Sequence, residues 1–179
     1  MKYLLSFFFF MMISVSSLLY GQINLDNVVV VAQQNKTADR YNLELAIMDV
    51  LRKYDVNARS GISVVKEGQG PNSLANDSIQ KRLNENGFPM FMLVSVRGYD
   101  KRFSISSNKT SLNDELRAGH LFAYHREKIS SVTFTVSFYR NGQPVHSELI
   151  RIKKTKSPEK VLKAFSKRIE KRLKRSWGK

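Results

Sequence analysis

The sequence predicts a single α/β domain with a mixed, mostly parallel sheet, in the order βαβαβ, then a β-hairpin, then a C-terminal helix. Three observations predict this class. Continuous apolar runs at 28–32 and 90–96 are typical of strands covered on both faces. An alternating stretch at 129–139 leads into Asn141-Gly142, a dipeptide that strongly favours a two-residue hairpin turn. After Ser157-Pro158, apolar residues recur with helical spacing.

The first half of the domain contains two crossover units. Thr37 is a candidate cap for a helix at about 38–54, whose apolar residues recur at spacings of three and four: Tyr41, Leu45, Met48 and Leu51. Residues 62–65 are predicted to be the second strand. Asp77 then opens a short helix that Gly87 is placed to end. Right-handed crossovers would set the three strands of this half in parallel.

The second half begins with a polar, aperiodic segment at about 100–128, which we interpret as a long loop. In the hairpin that follows, one face is apolar, and a two-residue turn would pair Phe138 with Val145 and Phe134 with Leu149. The last helix, at about 158–177, carries an apolar stripe that should dock on the sheet, formed by Val161, Phe165, Ile169 and Leu173.

Residues 1–21 have the pattern of a signal peptide, which leaves 22–179 as the single domain. Lys2 precedes an apolar stretch from residue 4 to residue 13, and small residues follow up to Gly21. A periplasmic or secreted location is therefore expected, with an uncleaved N-terminal anchor as the alternative. The chain has no Cys, which excludes disulfides, thiolate metal sites and a lipidated N-terminal Cys.

We expect the mature chain to begin at or near Gln22, because the small residues end at Gly21. The intact mass of protein recovered from the producing cell measures this directly. A full-length mass in the membrane fraction would instead indicate the anchor.

The predicted order of elements resembles a class of small bacterial envelope domains. The resemblance rests on the strand at 28–32 with its following helix, the Asn141-Gly142 turn and the terminal helix, and covers about 25–175. The class includes the periplasmic domain of the curli-secretion lipoprotein and a lipoprotein that activates a penicillin-binding protein. The resemblance is topological and carries no functional residues, and this chain lacks the lipidation Cys. It implies an assembly or accessory role rather than catalysis.

Candidate catalytic residues are few, and the sequence predicts neither a metal nor a cofactor. A hydrolase with a site in the loop around His120 to Glu127 is the alternative function, although His120 and His125 are five apart and do not share a helix face. His146 and Glu148 are expected on a polar strand face opposite Ser137 and Thr135, where nothing would exclude water. The loop at 68–71 does not match a phosphate cradle, because Pro71 removes an N–H donor where donors are needed.

A formal net charge of +15 favours anionic partners. On the terminal helix, the face opposite the apolar stripe carries five lysines, Lys160, Lys163, Lys167, Lys171 and Lys174. We interpret them as a binding face for an anionic envelope surface or an envelope protein, in a non-catalytic module. Nucleic-acid binding is a second alternative, but the aromatic residues fall on apolar faces rather than among the lysines. The sequence does not indicate the oligomeric state.

Overall fold

Within the residues that the structure describes, twelve elements follow one another along the chain. They are strand β1 (Asn27–Gln33), helix α1 (Thr37–Arg52), strand β2 (Asn57–Ser60), helix α2 (Gly61–Val64), a 3-10 helix (Pro71–Ala75), helix α3 (Asp77–Glu85), strand β3 (Met90–Tyr99), helix α4 (Leu112–Ala118), strands β4 (Ser131–Arg140) and β5 (Gln143–Lys153), helix α5 (Pro158–Arg172) and one π-helical turn (Leu173–Trp177).

This computed structural model describes residues 23, 25–65, 68–105, 109–119, 122–153 and 156–177. The predicted signal peptide at 1–21 lies outside the described residues. Within the described ranges, no helix is long and apolar enough to cross a membrane.

The five strands form one mixed sheet in the order β2-β1-β3-β4-β5, which confirms the predicted α/β class. Strand β1 runs parallel to β2 and β3, whereas β3–β4 and β4–β5 are antiparallel. The expectation of a mostly parallel sheet therefore holds for the first three strands alone. The antiparallel ladders are the longer ones, because β4 and β5 have 10 and 11 residues and β2 has 4.

Helices cover the two faces of the sheet unequally. One face, here called the α1–α5 face, packs against α1 and α5 and includes the even-numbered apolar residues of β4, such as Phe134 and Phe138. The second face packs against the 3-10 helix, α3 and α4, through residues such as Leu83 and Leu116. This second cluster includes Phe91 and Leu93 of β3 but only one residue of β4 and none of β5. Part of the second face is therefore left open.

The predicted second strand at 62–65 is wrong. The strand lies earlier, at Asn57–Ser60, and the residues predicted as strand largely form α2. Ser60 ends the strand because its hydroxyl accepts the backbone N–H of Ile62 at 3.2 Å and so caps α2. A four-residue edge strand pairs on one side alone, so it does not need the continuous apolar run that marks a covered strand.

Helix α1 buries only part of the predicted stripe: Met48 and Leu51 are buried as expected, whereas Leu45 is half-buried. Tyr41 is 53% exposed, while Arg40 and Glu44 are buried beside Leu43 and Ile47. Thr37 is the first helical residue, and the N-cap is Lys36, which makes no side-chain capping bond. The predicted stripe follows the spacing of apolar residues, whereas the structure buries the charged pair Arg40 and Glu44 in the same layer as apolar side chains.

The segment at 100–128 is not wholly irregular. Ser111 caps α4 by accepting the backbone N–H of Asp114, and Leu112 and Leu116 of this helix are fully buried. Tyr124, further along, is also buried. The prediction of one long polar loop missed α4, because a seven-residue helix offers only two buried apolar positions.

The hairpin register differs from the prediction by one residue. Arg140 pairs with Gln143 across the predicted turn, but Phe138 pairs with His146 and Phe134 with Ile150. Val145 is the extra residue, since the register shifts between Phe138 and Tyr139. This β-bulge reverses the faces of β5 beyond it, because neighbouring residues of a strand point to opposite sides of a sheet.

Candidate functional site

Helix α5 docks on the sheet through the stripe that the sequence predicts. Val161, Phe165 and Ile169 are fully buried, and Leu173 is 3% exposed. The ring centroid of Phe165 lies 4.2 Å from that of Phe134 on β4. This packing fixes which side of α5 meets the solvent.

The solvent side of α5 carries a basic face formed by lysines that are all exposed, namely Lys160, Lys163, Lys167, Lys171 and Lys174. Four of them make no ion pair with any described residue, while Lys174 pairs with Glu170 at 3.2 Å. Arg168 and Arg175 are also exposed and extend the charge along one flank. The structure thus brings the predicted residues together on one surface.

Glu170, an acidic residue beside this basic face, is turned toward Tyr54 in the turn that follows α1. Its carboxylate accepts the Tyr54 hydroxyl at 3.0 Å, and this bond, followed by those with Lys174, holds the pKa of Glu170 below its ordinary value. Hydrogen bonds with Tyr54 and with Glu170 raise the pKa of Lys174, whose ammonium lies 5.8 Å from the Tyr54 ring centroid. Glu170 therefore joins α5 to the turn after α1 and pairs with one of the five lysines.

His146 and Glu148 do not lie on the polar face where they were expected. The bulge at Val145 sets them opposite Phe138 and Val136, toward α5. There, the Glu148 carboxylate forms an ion pair with Arg172, with 2.7 Å between Oε1 and Nε. The His146 Nε2 lies 3.6 Å from the same carboxylate.

Ser137 belongs to the second face of the sheet, where its hydroxyl lies 2.8 Å from that of Ser147. A Ser–His–Glu arrangement is therefore not assembled, because its candidate nucleophile and base are on opposite sides of the sheet.

The loop proposed for a hydrolase is only partly described, because His120 lies outside the described residues. Glu127 is exposed, and His125 is half-buried near Glu159, whose pKa is lowered by the Ser157 hydroxyl and, to a lesser extent, by His125. Among the described residues, no three His, Asp or Glu side chains are grouped as metal ligands would be. His125 and Glu127 are thus not brought together with His146.

The open part of the second face holds a cleft of about 620 Å³ that the sequence did not reveal. Helix α4 and the segment after β3 lie at its sides. Small hydroxyl residues of three strands line it, namely Ser95, Thr135, Ser137 and Ser147. Two exposed aliphatic residues, Ile105 and Val145, also line it. Burial raises the pKa of Tyr139 in this lining to about 12, so its hydroxyl stays protonated at neutral pH.

Comparisons with known proteins yield structural likenesses only. No protein-family model matches the sequence, and a search of curated proteins finds no match. A PelC dodecamer from Paraburkholderia phytofirmans aligns at 10% identity and a TM-score of 0.45, covering 83% of this chain and 90% of that one. The lipoprotein GNA1162 from Neisseria meningitidis aligns at 13% identity and a TM-score of 0.42, covering 84% and 99%. Both TM-scores are below 0.5 and both identities are 13% or less, so neither structure assigns this chain a family or a role.

Proposed function

We propose that this protein is an exported, non-catalytic module of the cell envelope that binds an anionic surface through the basic face of α5. The observation that carries the proposal is the exposure of five lysines on one side of a helix whose other side is buried. The predicted leader supports export, and the net charge of +15 favours an anionic partner.

The position of the lysines supports a partner over simple solvation. Like charges three and four residues apart destabilise a helix by roughly 0.2–0.5 kcal/mol per pair. Lys160 also lies in the first turn of α5, where the helix dipole opposes positive charge. An anionic surface would offset both costs, because a lysine near such a surface contributes about 1 kcal/mol of binding.

A vesicle assay tests the proposal. The full protein should be retained on phosphatidylglycerol-containing vesicles and not on phosphatidylcholine vesicles, and retention should fall steeply as salt is raised. Changing Lys163, Lys167, Lys171 and Lys174 together to Gln should abolish retention and leave the circular dichroism spectrum unchanged, because these side chains are exposed.

The matched control removes the same number of positive charges elsewhere. Lys81, Arg82, Lys101 and Arg102 are exposed and lie outside α5, so their joint change to Gln should leave most of the retention intact. Equal loss in the two variants would show that net charge alone governs binding. If the unaltered protein shows no salt-sensitive retention, the proposal is contradicted and the basic face is only a solvated surface.

The assay also separates the other hypotheses. Retention on envelope fractions without retention on protein-free vesicles would indicate an assembly partner instead. Nucleic-acid binding is disfavoured by the helix itself, because Phe165 and Trp177, the aromatic residues of α5 and its π-helical turn, are fully buried and offer no stacking surface.

A further inference from the structure

The order in which strands are added to the sheet reverses at β1. Helix α1 leads from β1 to β2 on one side, whereas β3 pairs with the other side of β1. In open α/β sheets such a reversal leaves a crevice beyond the strand end, where ligands bind. Here a crevice of about 290 Å³ occupies that place, lined by Gln34, Thr37 and Arg40 and by residues 68–72.

The first wall of this crevice contains a buried amide donor without a partner. Gln34 is 2% exposed, and its Oε1 accepts the backbone N–H of Tyr124 at 3.1 Å. This bond fixes the orientation of the amide, so Nε2 is the remaining donor, and it has no partner among the described residues. A buried donor left unpaired costs about 1–3 kcal/mol, which makes it a candidate ligand contact.

A second unpaired donor lies on a neighbouring residue of the lining. Arg40 is 3% exposed and donates from Nε to Glu44 at 3.0 Å and from Nη1 to the carbonyl of Gln69 at 3.2 Å. Its Nη2 is buried and has no partner among the described residues. Nη2 lies on the side of Gly61, where an added Cβ would come within 3.2 Å of it, and Gly61 is not part of the lining. Nη1 is the guanidinium nitrogen on the crevice side, because its partner Gln69 lines the crevice, and Gln34 supplies the unpaired donor.

The N-terminus of α1 adds further donors at the same place. Lys36, its N-cap, makes no side-chain capping bond, although the Ser or Asn caps of the other four helices do. Thr37, the first residue of this 16-residue helix, lines the crevice. Uncapped N–H groups and the positive end of the dipole favour an anion.

The neighbouring acids do not cancel this preference. Glu44 is fully buried and its oxygens are occupied by Arg40, by the backbone N–H groups of Ala32 and Ile62, and by the Ser60 hydroxyl. Asp39 belongs to the first turn of α1 but is not part of the lining.

We propose that this crevice binds a phosphate group, either as inorganic phosphate or as the phosphomonoester end of a larger ligand. The Gln34 amide and the N-terminus of α1 supply the donors, and the Arg40 guanidinium lies beside them, which matches an oxyanion that accepts on several sides. The glycine-containing loop at 68–71 forms the other wall and need not supply N–H groups. The site is separate from the basic face of α5 and does not depend on it.

The test is a titration of the full protein with inorganic phosphate, followed by amide NMR at constant pH and ionic strength with chloride as reference. Saturable shifts should appear at the backbone amides of Thr37 and Ala38 and at the side-chain amide of Gln34. Asn72→Asp places a carboxylate on the exposed rim of the crevice without changing the core, and should weaken binding about tenfold or more.

A second variant addresses the buried donor. Gln34→Glu keeps an oxygen for the Tyr124 N–H and removes the Nε2 donor, so binding should be lost. Gln143→Glu is the matched control, because it adds the same charge at an exposed position in β5, outside the crevice, and should bind as the unaltered protein does. The α5 variant with four lysines changed to Gln should also bind phosphate normally, so failure of the proposed function and failure of this site are distinguishable.

Competition identifies the source of the phosphate. If the ligand is a phosphomonoester headgroup, short-chain phosphatidic acid should displace inorganic phosphate at the same amides; if it is the free ion, it should not. The proposal is overturned if the unaltered protein shows no saturable shift, if Asn72→Asp binds equally well, or if the shifts lie along α5 and vanish in the lysine variant.

Discussion

Replacing Phe165 with alanine should lower the free energy of unfolding by about 3–5 kcal/mol, the range for a large aromatic residue truncated in a core. Phe165 is fully buried at the middle of the α5 stripe, and its ring packs 4.2 Å from Phe134, centroid to centroid. The cavity would open where α5 meets the sheet. Urea denaturation followed by circular dichroism measures the change.

Phe122→Ala is the matched control for this truncation. Phe122 is 50% exposed and meets Tyr99 only edge-on, at 6.4 Å between ring centroids. Its loss should cost less than about 1 kcal/mol. If the two variants lost equal stability, the contact between α5 and the sheet would not hold the helix in place.

Glu44→Ala should lower the free energy of unfolding by about 3–5 kcal/mol, because it leaves a buried guanidinium uncompensated. Glu44 is fully buried and accepts from Arg40, from the Ala32 N–H at 3.0 Å and from the Ile62 N–H at 3.0 Å. One substitution therefore removes the partner of a buried charge and unpairs the Ala32 N–H of β1, and it leaves the Ile62 N–H with the Ser60 hydroxyl alone. The same denaturation assay applies.

The control is the acid of a surface pair with the same spacing. Lys81 and Glu85 are four residues apart on α3 and 4.0 Å apart, with the Glu85 side chain 64% exposed. Glu85→Ala should change stability by at most about 1 kcal/mol. A similar loss in both variants would mean that burial of the Arg40–Glu44 pair contributes nothing of its own.

The parts of the fold that were predictable are those in which one physical requirement dominates. Strand β1 has apolar residues on both faces because helices cover both, and α5 keeps one apolar stripe because it docks on one side. The turn at Asn141-Gly142 was predictable for another reason: both residues have positive φ angles, 51° and 76°, which these two residue types tolerate.

The failures occur where local and tertiary requirements conflict. In β5 the apolar residues change from odd-numbered to even-numbered positions between Val145 and Ile150, which is a sign of the bulge. The prediction assumed an ideal hairpin register and missed it. In α1 the buried Arg40 and Glu44 occupy positions that apolar spacing assigns to solvent. No single-sequence pattern marks such a pair, because each residue is stabilised by partners far along the chain.

The candidate sites divide in the same way. The lysines of α5 share one helix, so their common face follows from periodicity alone. The phosphate crevice joins two parts of the chain, 34–40 and 68–72, and its main signal is the unpaired buried donor of Gln34. That signal exists only in the folded molecule.

The bulge at Val145 also bears on whether a further strand can pair with the edge of the sheet. Strand β5 is a long edge strand, and an unprotected edge invites a second chain to add itself and start aggregation. Pro144 has no N–H to offer, and the bulged residue beside it interrupts the regular hydrogen-bonding row. Exposed Lys153 places a charge at the other end. The irregularity that shifts the hairpin register thus also makes this edge a poor template for another strand.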